Sequence, residues 1–153
     1  MRQGEVNRGA FLVSDDPDRL DVAAIHAYLT RSYWSEGIPL ETVRRALSAS
    51  LCVGLYHEGR QIGLARVITD RTTFAYLCDV YVLEEYQGQG LGTWLMERVM
   101  AHPDLQALRR FSLVTHSAHG LYSPLGFTPV AHPERHMEML RPGIYQAPPG
   151  ANR

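Results

Sequence analysis

Between a strand-like apolar run that ends at Leu83 and the apolar period Leu91, Leu95, Val99 stands Gln87-Gly88-Gln89-Gly90-Leu91-Gly92-Thr93, with glycine at alternate positions. Glycine lets the backbone turn tightly and leaves room for a ligand to approach the amides. The unpaired N–H groups of a helix start add the positive end of its dipole, so the segment can hold a phosphate or pyrophosphate with no basic side chain. All 15 basic residues are arginine, which excludes a Schiff-base lysine and a P-loop lysine. A dinucleotide fingerprint needs a third glycine at the place held by Thr93.

Other residues could do chemistry beside the loop. Asp79 is the sole acid in the strand that leads into it. A carboxylate there either handles a proton or forms a buried pair with Arg66 on the neighbouring strand, and both readings stay open. His116-x-x-His119 and His132-x-x-x-His136 have the look of ligand pairs, but neither has the remaining ligands that a metal site needs, so no metal is expected. Tyr33-Trp34 is an aromatic pair in a break between helices, suited to stacking on a ligand or to capping the core.

The elements that must position these residues follow from periodicity. Ala10 to Ser14 reads as a first strand, and Asp16-Pro17 as the start of a helix running to about Thr30 with Leu20, Ala24, Ala27 and Tyr28 on its apolar stripe. Pro39 opens a second helix, ending near Ala49, that turns Leu40, Val43 and Leu47 to one side. Three strand runs follow, Leu51 to His57, Gln61 to Thr69 and Phe74 to Leu83, joined by Glu58-Gly59 and Asp70-Arg71-Thr72 as an antiparallel meander. After the loop come a helix stopped by Pro103, a strand at Phe111 to Thr115 and a short helix from Ala118 to Leu125 that ends at Gly126. Two last strands are expected at Phe127 to Ala131 and His136 to Leu140. The Pro/Gly-rich segment 141–153 is expected to be a flexible tail.

At 153 residues, 45% of them hydrophobic, the chain suits one domain that buries about two-thirds of its unfolded surface. A net charge of −1 gives no general attraction to nucleic acid or to a membrane surface. No apolar run reaches the length of a secretory core or a membrane span. Cys52 and Cys78 lie in apolar strands as reduced thiols would, which points to the cytoplasm.

With loop and flanks in view, the sequence resembles the GNAT superfamily of N-acetyltransferases over about Ala10 to Leu140. Gln87 to Gly92 matches the family's Gln/Arg-x-x-Gly-x-Gly/Ala motif, and Tyr76 to Leu83 and Leu121 to Phe127 resemble its flanking sequences. The resemblance implies a single α/β (α+β) domain over residues 1–140. Its mostly antiparallel mixed sheet would have about seven strands flanked by helices, with a V-shaped opening between the fourth and fifth, the strands of Val80 and Leu113. Acetyl-CoA would wedge into that opening. Backbone groups of Val80, Tyr81 and Val82 would pair with its acetyl and pantetheine amides, and the segment of Gln87, Gly88, Gln89, Gly90, Leu91, Gly92 and Thr93 would hold its pyrophosphate. Thr115 stands where many members carry a pantetheine-binding Asn.

Tyr122 corresponds to the family tyrosine that faces the cofactor sulfur. A phenol of pKa about 10 can protonate a departing thiolate of conjugate-acid pKa about 8.5. Asp79 would accept the proton of the amine directly or through water, with His119 or His116 as fallbacks, and Tyr33 and Trp34 fall where the family places its substrate lid. The polyamine-specific members have a catalytic Glu at the position of Cys78, so polyamine specificity is not expected. The implied activity is acetyl transfer from acetyl-CoA to a primary amine of a small molecule, by direct attack in a ternary complex and without a metal. A homodimer is in keeping with the family. A catalytically silent acyl-CoA sensor and a strand-mediated interaction domain are the competing readings.

Overall fold

The computed structural model describes residues 1–146. Glu5–Arg8 (β1) and Phe11–Ser14 (β2) form a hairpin that turns at Gly9, whose φ of 58° lies in the left-handed region. Helices Val22–Leu29 (α1) and Leu40–Ser48 (α2) follow, then the meander Leu51–His57 (β3), Arg60–Thr69 (β4) and Phe74–Val82 (β5). Helix Leu91–Met100 (α3), strand Arg110–Leu113 (β6) and the single turn His119–Tyr122 (α4) complete the regular structure that bears on the site. The six strands lie in sequence order, and every pair is antiparallel except β5 with β6. The parallel pair arises because α3 carries the chain back across the sheet between its two strands.

Helices cover both faces. On one, Ile25 and Leu29 of α1 and Val43 and Leu47 of α2 pack with Ile38, Cys52, Leu64 and Tyr81. On the other, Leu91, Trp94, Leu95, Met96 and Val99 of α3 pack on Leu51, Val53, Leu55, Ala75 and Leu77. Of the expected stripe Leu20, Ala24, Ala27 and Tyr28, Leu20 and Tyr28 pack against the α1–α2 cluster, but the larger aliphatics Ile25 and Leu29, one turn apart, take the buried face and Ala27 is exposed. Asp16-Pro17 starts only a single turn, Pro17–Arg19, and the helix proper begins where the Asp21 carboxylate accepts the Ala24 N–H at 3.0 Å.

Six strands replace the seven expected. β1 escaped notice because it is a polar edge strand, tied down by its own hairpin and by the Glu5 carboxylate meeting Ser14 and Arg19. Phe127 to Ala131 and His136 to Leu140 form no strand. Pro129 and Pro133 interrupt that stretch and cannot donate to a ladder, and Met137, Met139 and Leu140 stay exposed. Residues 141–146 include the turn Ile144–Gln146, whose Tyr145 packs against the cluster of α1 and α2. The rest of the expected tail, 147–153, lies outside the described residues.

One irregularity in the sheet prepares the site. Tyr81 pairs with Leu64 and Cys78 with Arg66, so Asp79 and Val80 together face Ala65 alone, a β-bulge in β5. Asp79 takes a left-handed φ of 51° there. The extra residue reverses the alternation: Ala75 and Leu77 point to the α3 side, whereas beyond the bulge Val80 and Val82 do so and Tyr81 points to the α1–α2 side. β6 pairs with β5 only from Phe74 to Leu77. From Cys78 onward this edge of β5 has no strand beside it among the described residues, and the two strands part.

Candidate functional site

The glycine loop lies at the end of that parting. After Leu83 the chain makes one turn, Glu84–Tyr86, and the Gln87 side-chain amide donates to the Val82 carbonyl at 2.9 Å, closing the strand end. Gly88 and Gly90 have φ of 83° and 77°, and Gly90 is the N-cap of α3. A Cβ built on either would meet no atom within 4 Å. The backbone therefore needs glycine at both positions while the space beside them is open, as a site for an approaching pyrophosphate requires. α3 supplies the helix start to face it, about 15 Å of aligned peptide dipoles. The residues present fit a coenzyme A pyrophosphate.

Between β5 and β6 opens a cavity of about 1020 Å³. One wall is Tyr76 to Val82 of β5, the floor is Gln87, Gly88 and Gly90 to Thr93, and the far wall is Leu113 to Ala118 with Leu121 and Tyr122 of α4. The predicted Val80, Tyr81, Val82, Thr115 and Tyr122 thus line one space with the loop. Gln89 is exposed and does not line it. His119 is exposed and outside it as well, so the histidine at this wall is His116. His116 lies in the bend that follows β6, whereas His119 opens α4 with its side chain exposed.

Tyr122 is 8% exposed, and burial raises its pKa above the usual phenol value, with the Tyr33 phenol adding to the effect. Its proton is retained across the physiological range. The Thr115 hydroxyl accepts the Ala118 N–H at 2.9 Å, closing the bend that precedes the turn carrying Tyr122. Cys78 also lines the cavity. Its burial pushes the thiol up to about 11, and Cys52 in β3 is pushed up to about 12, so both are poor nucleophiles at neutral pH.

Asp79 is 8% exposed and engaged on both oxygens: Arg66 Nε donates to Oδ2 at 2.7 Å and Trp34 Nε1 to Oδ1 at 2.8 Å. Arg66 also donates from Nη1 to Ser50 at 3.0 Å. The buried pair with Arg66, one of two readings open from sequence, is present. Trp34 is held with its indole edge on Asp79, and Tyr33 stands against it at 5.1 Å between ring centroids. Tyr28 and Tyr76, which sequence reasoning did not assign to the site, line the same cavity. Tyr76 shares the two-residue alternation of Cys78 along β5, a signal that was there to be read.

His132 sits against Glu134 at 3.2 Å and His136 lines a separate cavity of about 490 Å³ behind β6. Among the described residues no helix is long and apolar enough to cross a membrane.

Comparison with known proteins agrees with this architecture. Residues 14–127 match the model of the Acetyltransferase (GNAT) family. A solved Xanthomonas campestris protein belonging to the GNAT family is 50% identical, with a TM-score of 0.88 over 92% of this chain and 100% of that one. A Gibberella zeae protein assigned to the acetyltransferases is 39% identical over 71% of this chain and 73% of its own length. A Clostridium acetobutylicum acetyltransferase described with acetyl-CoA shares the fold at 15% identity, with a TM-score of 0.62 over 85% of this chain and 94% of that one. A parted β5–β6 pair, a left-handed glycine turn at the head of α3 and a family match that spans both are one finding: the chain belongs to the GNAT acetyltransferase family.

Proposed function

We propose that this protein transfers the acetyl group of acetyl-CoA to the nitrogen of a primary amine by direct attack in a ternary complex. The observation that carries the reading is the alignment in one cavity of a pyrophosphate-shaped glycine turn, an unpaired strand edge and a buried, protonated Tyr122. Acetyl-CoA supplies the activated acyl carbon when bound. Gly88 and Gly90 give its pyrophosphate close approach to the backbone of the α3 start, and the open edge at Val80, Tyr81 and Val82 offers amides to the pantetheine arm and an N–H to the thioester oxygen.

The amine nitrogen forms its bond to the acyl carbon as the carbon–sulfur bond breaks. Tyr122 gives its phenolic proton to the departing sulfur and regains one, through water, from the nitrogen after attack; the ammonium has first lost its extra proton to water. A carboxylate has about four lone-pair sites. Arg66 and Trp34 occupy two at Asp79, and the others orient the water that takes this proton. The raised thiol of Cys78 argues against an acyl-enzyme, and the free thiols of Cys52 and Cys78 support a reducing compartment, the cytoplasm. The test is a screen of primary amines with acetyl-CoA that follows thiol release, beside calorimetry of coenzyme A. Tight binding without release for any amine would make the protein an acyl-CoA sensor.

A further inference from the structure

From the aromatic end of this cavity we infer that the acceptor is a monoamine carrying an aromatic ring, an arylalkylamine; the inference rests on the acetyl-transfer reading. Tyr33 and Trp34 meet at 83° with centroids 5.1 Å apart, forming a corner with two perpendicular faces. His116, from the opposite wall, closes on Tyr33 at 6.0 Å, and Tyr28 lies behind Trp34 at 6.2 Å. These rings are available: Tyr33 is 72% and Trp34 39% exposed, large apolar faces left open at the mouth of a functional cleft. They are also set. The Trp34 indole is pinned to Asp79 at 2.8 Å, so an entering ring meets a prepared surface and orders little on binding.

Charge at this end narrows the acceptor further. Asp79 is the only acid that lines the cavity among the described residues, no arginine lines it, and the Asp79 charge is matched by Arg66 at 2.7 Å. The nearby Arg31 stacks on Tyr28 and is held by both oxygens of Glu84, at 2.9 and 2.8 Å. A polyamine would need spare carboxylates for its second ammonium, and a sugar phosphate or amino acid would need a spare cation. An acceptor whose only charge is the reacting amine leaves no group unpaired. Its ring stacks in the Tyr33–Trp34 corner and its short alkyl arm carries the nitrogen towards Asp79 and Tyr122. The transfer then balances as above: the ammonium proton to water, nitrogen–carbon bond made, carbon–sulfur bond broken, the Tyr122 proton to sulfur and the second nitrogen proton back to Tyr122 through water.

The experiment sets 2-phenylethylamine and tryptamine against hexylamine, spermidine, glucosamine 6-phosphate and a peptide amine, with acetyl-CoA and the full chain, reading thiol release. The expected kcat/KM for the aryl amines is about tenfold above that for hexylamine and higher still against the rest, and Tyr33→Ala lowers the aryl-to-hexyl ratio. Tryptophan fluorescence titrated with 2-phenylethylamine gives a second readout, because the other tryptophan, Trp94, is buried in the α3 core. Saturable quenching that Trp34→Phe abolishes supports the aromatic acceptor even without thiol release, a result that overturns transfer alone. Preference for spermidine, the sugar phosphate or the peptide, or parity with hexylamine, overturns the aromatic acceptor and leaves transfer standing. Neither release nor quenching overturns both.

Discussion

In the proposed reaction Tyr122 and Asp79 act in different ways. Tyr122 is buried and keeps its proton, so Tyr122→Phe, which retains the ring against Phe127, is expected to lower kcat by about 10²- to 10⁴-fold with little change in coenzyme A affinity. Steady-state kinetics beside calorimetry check this, and an unaltered kcat with chemistry limiting would reduce Tyr122 to a packing residue. Its raised pKa has a sign: a proton donor acts below its pKa, so kcat should hold through pH 9 and fall only on the alkaline side of an ordinary phenol. Asp79→Asn removes the charge that balances Arg66 in a mostly buried setting. A loss of about 3 kcal/mol in stability is expected on a melting curve, since the cation is left without its partner. In the folded fraction kcat should also fall and recover partly with rising pH, as more amine arrives deprotonated. Destabilisation with an unchanged kcat would confine Asp79 to holding Arg66 and Trp34.

At the level of elements, the glycine turn and the β5 bulge divide the work. The turn joins strand to helix with two left-handed residues, and Gly90→Val puts a β-branched side chain at a φ of 77° and into the space beside the α3 start. Coenzyme A affinity is expected to fall at least about tenfold in calorimetry, from strain and from lost phosphate approach together. Unchanged affinity in a folded Gly90→Val protein would remove the turn from the cofactor site. The bulge reverses the facing of β5 at Asp79, which lets the strand line the cleft with Val80 and Val82 while Tyr81 stacks on Tyr28 at 3.9 Å on the opposite face.

Across the whole molecule, Asp15 ties the N-terminal hairpin to the end of α3. Its carboxylate accepts from the Gln3 and Gly4 N–H groups and from His102 Nε2 at 2.9 Å, while His102 Nδ1 accepts the Asp104 N–H. Burial alone would raise the Asp15 pKa, but the bonds from Gln3, His102 and Gly4 outweigh it and hold it below the usual value. A depressed carboxylate stabilises the fold above its unfolded pKa of about 4, and that contribution is lost as pH falls through the folded value. Asp15→Asn is therefore expected to cost about 2 kcal/mol at pH 7, roughly 6 °C in Tm. Its melting curve should begin to approach that of the parent as pH falls below about 4 and meet it once pH has passed below the depressed folded pKa. A gap that persists under acid strong enough to protonate the folded carboxyl would mean that shape and not charge is what Asp15 contributes.

What the sequence by itself determined was local. The glycine turn, the meander with its Glu58-Gly59 and Asp70-Arg71-Thr72 turns and the helix after the loop are set by neighbours a few residues apart, and each stands where its residues say. The loop side of the cavity was legible for the same reason, since most of that lining comes from one stretch of chain between Val80 and Thr93. The aromatic end of the cavity was legible only in its parts. That Asp79 meets Trp34, 45 residues away, as well as Arg66 depends on the register of β4 with β5 and on where α1 lies over the sheet. That His116 and not His119 lines the cavity depends on the irregular path of residues 114–118 between β6 and α4. The two absent strands show the same limit: Phe127 to Ala131 and His136 to Leu140 carry strand-like residues, but a strand exists only with a partner edge, and nothing in a segment's own composition supplies one.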